Sequence, residues 1–265
     1  MNNPLVAFCM PTYQREKTIQ HAIRSVIDQT YTNWRLIIVD DGGTDNTKRV
    51  IDGFANSKII YKKIEHCGFV SRVRNEANKI ANELGAEIVI VQDSDDFSYP
   101  ERAMEIVEAF EENPDADLVY HAMHLRFYDP FNNAMSYQLR PTLPYFKDHL
   151  LREQFIPGQF AAKLKTILDI GGYDPRIICC DDYEILLNFG LNDKKFVPIY
   201  KSLYLYSDSP DSINVNGEMN GSRRRDVEII LKWLKDEYDI SAIAGLIRST
   251  VGDSQIISRE IITRK

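Results

Sequence analysis

The first half of the chain alternates between two hydrophobic periods, and this alternation constrains the fold more than any other feature. The apolar run LVAFCM (5–10) is followed by Ile19, Ala22, Ile23, Val26 and Ile27 at helical spacing, up to Gln29. WRLIIVDD (34–41) reads as a second strand, after which Thr44 or Asp45 caps a helix to about Ala55 that carries Val50, Ile51 and Phe54. KIIYKKI is a third strand, VSRVRNEANKIANEL a helix and AEIVIVQ a fourth strand. Pro100 suits the first turn of a helix to about Glu112, and ADLVYHA makes a fifth strand. Strands alternating with helices imply right-handed crossovers and a mostly parallel sheet covered on both faces. The first, second and fourth runs are apolar throughout, as burial on both faces requires. The expected class is α/β, with a Rossmann-like sheet flanked by helices.

Regularity fails after Tyr120, where HLRFYDPFNNAMSYQLRPTLPYF is rich in aromatics, Pro and Asn and reads as a region that shapes a surface for a partner or substrate. Short helices are expected at 146–153 and 163–169, and another on DDYEILLNFGL (181–191). A length of 265 residues fits one domain, to about 215, with an appended helical extension over 216–265. In that extension Ile229, Ile230, Trp233 and Leu234 beside lysines read as a satellite core or a homodimer contact, the alternative being peripheral contact with a membrane. Thirty-two basic and thirty-nine acidic residues give 32 − 39 = −7, which argues against nucleic acid as the main partner. Cys9, Cys67, Cys179 and Cys180 have neither metal-ligand spacing nor the density of a disulfide scaffold and read as reduced thiols. The start lacks a basic segment followed by an apolar one, and no apolar stretch approaches the ~20 residues that span a bilayer. The expected compartment is the cytoplasm, with the inner face of the membrane as its variant.

Three strand ends carry polar punctuation: MPTYQRE after the first, VDDGGTDNT after the second and QDSDD after the fourth. In an open parallel sheet these ends share one rim, where ligands bind. Carboxylates crowded there repel one another unless something cationic sits between them. Oxygen-only ligation without a nearby His or Cys favours a hard divalent cation, Mg2+ or Mn2+, with a substrate diphosphate supplying further oxygens. A purely structural reading stands beside this one: Asp93, Asp95 and Asp96 cap the next helix, and Asp-Gly-Gly is good turn chemistry. Asp40 is placed to accept a hydrogen bond from a nucleobase, with the Tyr13 ring packed on its face.

With these motifs in order, the chain resembles the inverting family 2 glycosyltransferases of the GT-A fold from about Val6 to Asn214. The likeness rests on MPTYQREKTIQHAIRSVIDQTYTNWRLIIVDDGGTDNT, RVRNEA, IVQDSDDFSYPERAMEIV, GGYDP and DDYEILL. It implies a nucleotide-binding half (1–97) and an acceptor-binding, catalytic half (98–215). It further implies that Pro11, Thr12, Tyr13, Arg15, Asp40, Asp41, Arg74, Asp93 and Ser94 hold a nucleotide-sugar donor, most commonly a UDP-sugar. Asp93 and Asp95 match the metal motif, Asp95 as the direct ligand. Asp182 falls where inverting members keep their base, and Asp181 where Glu is commoner. The acceptor would be a carbohydrate, lipid-linked or other hydroxyl, as in surface polysaccharide synthesis.

Some positions depart from the family pattern. Ser207 stands where several members place a His, Gly43 replaces the commoner Ser, and Ala77 a commoner Gly. Arg223, Arg224 and Arg225 read as a solvated helix start, the five histidines as core or surface residues, and Trp34 and Trp233 as packing. Ser207 keeps open a second reading, a non-catalytic nucleotide-sugar-binding or scaffold protein on the same fold. A receiver-type phosphorylation domain lacks its expected Asp after the third strand, and a nucleotidyltransferase lacks its Gly-rich loop after the first.

Overall fold

A computed structural model describes residues 3–129, 134–151, 153–207 and 221–238. Strands β1 (Val6–Thr12), β2 (Trp34–Asp40), β3 (Ile59–Lys63) and β4 (Ile88–Val91) alternate with helices α1 (Ile19–Ile27), α2 (Thr47–Asp52) and α3 (Val70–Glu83). These strands pair in parallel in the order β3-β2-β1-β4, with Thr12 opposite Asp40 and Cys9 opposite Val91. Helix α2 is shorter than its sequence pattern, because Asp45 accepts the Thr47 backbone N–H and holds the preceding residues in a turn.

Beyond β4 the sheet becomes mixed. The chain continues through β5 (Phe97–Ser98), α4 (Arg102–Glu112), β6 (Leu118–Asp129), β7 (Ala134–Arg140), α5 (Lys147–Leu150), β8 (Ala161–Lys163), α6 (Leu164–Asp169), α7 (Asp181–Leu191), β9 (Phe196–Ser207) and α8 (Ser222–Tyr238). Strand β8 runs antiparallel to both β4 and β6, β9 runs parallel to β6, and the irregular-looking stretch after Tyr120 is a long β6–β7 hairpin. An antiparallel strand presents its start where its neighbours present their ends. The residues just before β8 therefore join the rim formed after β1, β2, β4 and β9.

Alternation along each strand builds two cores. On β1, Ala7 and Cys9 pack with α3, α6, α7 and α8, while Val6, Phe8 and Met10 pack with α1 and α4 on the other face. The C-terminal helix is no loose appendage, since its Val227, Ile230 and Leu234 are buried in the same core as α3 and α7. The remainder of the expected extension lies outside the described residues. Among the described residues no helix is long and apolar enough to cross a membrane.

Candidate active site

A cleft of about 390 Å³ opens along the rim, and all of the site residues expected from sequence line it except Asp40. Asp40 is 1% exposed, and its oxygens are taken by the Gly43 N–H at 2.7 Å and the Tyr61 hydroxyl at 2.8 Å. Successive side chains leave an extended backbone on opposite sides, so Asp40 and Asp41 do not both face the cleft. This corrects the expectation for Asp40: Asp41 is the one that lines the cleft. Its carboxylate accepts the backbone N–H groups of Cys67 and Gly68 at 2.8 and 2.9 Å. Gly42 makes this turn at φ +77°, where a Cβ would stand 2.8 Å from the His66 backbone nitrogen. The exposed ring of Tyr13 stacks on His66 at 4.5 Å, and His66 Nδ1 lies 2.9 Å from Asp41 Oδ2. Together they form an aromatic shelf with a carboxylate beside it.

Arg74, from the first turns of α3, crosses the cleft floor. Its Nε donates to Asp181 Oδ2 at 2.6 Å and its Nη2 to Asp93 Oδ1 at 3.0 Å. Burial works against its charge, but Asp181 and Asp93 beside it hold it well above the usual range. Gln159 donates to the other Asp93 oxygen at 2.8 Å, so both oxygens of Asp93 are occupied. Beneath them the fully buried Arg102 donates to the carbonyls of Val91 and Gln159, to Ser98 and to His121. His121 is correspondingly neutral, pushed down to about 3 by burial and the Arg102 charge.

The acidic loop after β4 has more negative charge than partners. Asp95 lies 3.5 Å from the Arg15 guanidinium, and burial with the Asp93 charge pushes its carboxyl up to about 6. Asp96 accepts the Ser207 N–H at 2.7 Å, while its buried Oδ2 has no hydrogen-bond partner among the described residues. Burial, Asp95 and Asp93 push Asp96 well above the carboxylate range. An all-oxygen set short of positive charge suits a hard divalent cation, and among its carboxylates Asp95 lines the cleft while both Asp93 oxygens are taken by Arg74 and Gln159. Ser207, fixed by Asp96 and by the Arg126 guanidinium at 2.9 Å, supports this loop. Residues 208–214, which complete the segment where family members place a His, lie outside the described residues.

Asp181 and Asp182 open α7 with different surroundings. Asp181 is tied to Arg74, and burial, only partly offset by Arg74, pushes it up to about 6. Asp182 accepts its neighbour Tyr183 N–H at 2.8 Å and the Gln154 side chain at 2.6 Å. It packs on Gly158, where a side chain would collide with it. Sequence reasoning missed Gln154, Gly158, Gln159 and His66; a Pro-Gly turn between aromatics, QFIPGQF, was the one local signal for the first three.

The profile described as Glycosyl transferase family 2 matches residues 7–171, more than half of the chain. The chain belongs to glycosyl transferase family 2. Among curated relatives, an Escherichia coli UDP-Glc:alpha-D-GlcNAc-diphosphoundecaprenol beta-1,3-glucosyltransferase, WfgD, is 38% identical over 36% of this chain and 37% of its own length. The putative colanic acid biosynthesis glycosyl transferase WcaA of Escherichia coli K12 is 27% identical over 70% of this chain and 66% of its own length. The chain thus spans less than two thirds of these two relatives. Among solved structures, Staphylococcus aureus TarS 1–349 in complex with UDP-GlcNAc superposes with a TM-score of 0.64 at 14% identity, over 89% of this chain and 74% of that one. The mannosyltransferase PcManGT of Pyrobaculum calidifontis, in complex with GDP-Man and Mn2+, gives 0.62 at 16% identity, over 89% and 66%. The fold is GT-A, as the family resemblance implied.

Proposed function

We propose that this family 2 protein is an inverting glycosyltransferase that moves a sugar from a nucleoside-diphosphate sugar, a UDP-sugar first among them, to a hydroxyl acceptor in surface polysaccharide synthesis. The observation that carries this reading is a single cleft holding two differently equipped carboxylates, Asp95 on the charge-deficient acidic loop and Asp182 at the start of α7. The printed names of the relatives support it: one takes UDP-Glc, and TarS and PcManGT are described with UDP-GlcNAc and GDP-Man.

In this reading Tyr13 and His66 stack against the base while Asp41 accepts its N–H, and Arg74 and Arg15 face the diphosphate. Asp95 would hold Mn2+ or Mg2+, which would supply charge neutralisation of the diphosphate leaving group. Asp182 takes the proton from the acceptor hydroxyl as it attacks the anomeric carbon from the face opposite the leaving group, which inverts the configuration. Asp181 keeps Arg74 in place through an ion pair, and the base role falls to Asp182, whose hydrogen-bond donors, the Tyr183 N–H and the Gln154 amide, are neutral.

The test is release of nucleoside diphosphate from a panel of UDP- and GDP-sugars in Mn2+, for the wild type and Asp182→Asn. Turnover in the wild type that falls by roughly 10²–10⁴ in the variant, with nucleotide affinity retained, is the expected outcome. Binding with no turnover of any donor would favour the non-catalytic alternative, and equal turnover in the two proteins would remove Asp182 from the base role.

A further inference from the structure

The start of α7 has an unusual cap. The first N–H groups of a helix lack intrahelical acceptors and are commonly satisfied by a side chain from the residue just before it. Here that residue, Cys180, makes no side-chain cap hydrogen bond. The segment that leads into α7, up to this residue, is held instead from α8, more than forty residues along the chain. Asp226 Oδ2 accepts the backbone N–H groups of Ile178, Cys179 and Cys180 at 2.9, 2.7 and 3.2 Å, and Asp226 is 0% exposed. The two residues that follow these donors are Asp181 and Asp182.

The carboxylate is held where it is by apolar anchors on the same helix, Val227, Ile230 and Leu234, buried in the core that also contains Tyr183 and Ile185 of α7. A second strap lies alongside: Arg72 donates to the Pro175 carbonyl at 2.9 Å, and its guanidinium packs over the Phe69 ring. Arg225 stands over the same ring at 5.6 Å. A negative charge at a helix N-terminus is favoured by the helix dipole, and three N–H donors on one oxygen leave that segment little freedom.

We infer that Asp226 is a positioning residue, which holds the segment leading into α7 from the C-terminal helix and thereby fixes where Asp181 and Asp182 enter the cleft. The inference rests on the reading of Asp182 as the base. It makes the C-terminal helix part of the catalytic apparatus without contact to substrate. Catalytic geometry tolerates little displacement, so releasing the segment lowers turnover while leaving the nucleotide end of the cleft, built on β1, β2 and β4, unchanged.

The experiment compares the full chain with Asp226→Asn and Ile230→Ala. It reads turnover, nucleotide affinity, melting temperature and amide hydrogen exchange across residues 174–183. In Asp226→Asn the 178–180 amides are expected to exchange at least tenfold faster and kcat to fall tenfold or more, with the nucleotide Kd within twofold. Ile230→Ala, which loosens the helix but keeps the carboxylate, is expected to melt lower yet hold kcat within twofold well below its melting temperature. Wild-type kcat in Asp226→Asn, or the same kcat loss in both variants, would overturn the inference. So would unprotected 178–180 amides in the folded wild type, a measurement that needs no variant to fold. The ligating atoms of Cys179, Cys180 and Asp226 lie within 4.8 Å of one another. A stoichiometric metal in the wild type that Asp226→Asn releases would make Asp226 a ligand and likewise overturn the positioning role. A wild type without turnover would contradict the transferase reading instead, and the exchange data would still decide whether Asp226 holds the segment.

Discussion

Asp181 and Asp182 are sequence neighbours with unlike surroundings. One carboxylate is buried against a guanidinium, which also grips Asp93; the other accepts hydrogen bonds from the Tyr183 N–H and the Gln154 amide. Protonating Asp181 would break its ion pair with a buried guanidinium, whereas Asp182 can take a proton at the cost of hydrogen bonds from neutral donors alone. Gly158 tests this placement without touching a titratable group. A Cβ there would stand 2.8 Å from Asp182 Cβ and closer still to its carboxylate, so Gly158→Ala pushes the carboxylate from its position. The expected result is a fall in kcat of roughly 10²-fold, as for other displaced catalytic groups, with nucleotide affinity retained. Unchanged turnover would show that the Asp182 geometry tolerates the shift. That Arg74, Asp93 and Asp95 share the cleft was legible from their motifs, but Asp40 was not distinguishable from Asp41. Adjacent carboxylates at a strand end look alike until the direction of each side chain is known.

Helix α7 carries another buried acid, Glu184, which accepts the Asp174 N–H at 3.1 Å. Burial, with Asp174 and Asp181 nearby, pushes its carboxyl up from 4.5 to about 8 against the opposing Asp174 N–H and Arg176. Between those values the folded chain holds a proton that the unfolded chain has released, so the unfolded state binds fewer protons and stability falls as pH rises through the window. The contribution is fully present below about 4.5 and is lost by about 8. Glu184→Gln has no proton to lose. It is expected to flatten the fall in stability between pH 5 and 8 by a few kcal/mol, read as denaturant midpoints across that range. Parallel pH profiles for wild type and variant would contradict this placement of Glu184. At the element scale, β1, β2, β4, α1, α3 and α4 were legible because each is buried with a clean period. Strands β8 and β5 are three and two residues long, too short for any period to register. Strand β9, FVPIYKSLYLYS, carries Pro198 and Lys201 on a partly exposed face, and the β6–β7 hairpin exposes Met135, Tyr137 and Leu139. Their identity as strands depends on partners far away in sequence.

For the whole molecule, the alternation of periods specified a parallel half-sheet whose strand ends share one rim, and the structure has that rim. What the alternation did not contain is the antiparallel β8, which brings Gly158 and Gln159 to the rim, or α8, which packs beneath it. Both arise from packing between distant segments, so a local pattern carries no trace of them. We propose that the rim is a donor site whose surplus of carboxylate would be matched by a divalent cation at Asp95. Calorimetric titration of UDP into the full chain, in Mn2+, in EDTA and with Asp95→Ala, tests it most directly. Binding that appears with Mn2+, weakens at least tenfold in EDTA and is lost in Asp95→Ala is the predicted result. Equal affinity in all three conditions, or no binding of UDP or GDP in any of them, would contradict it.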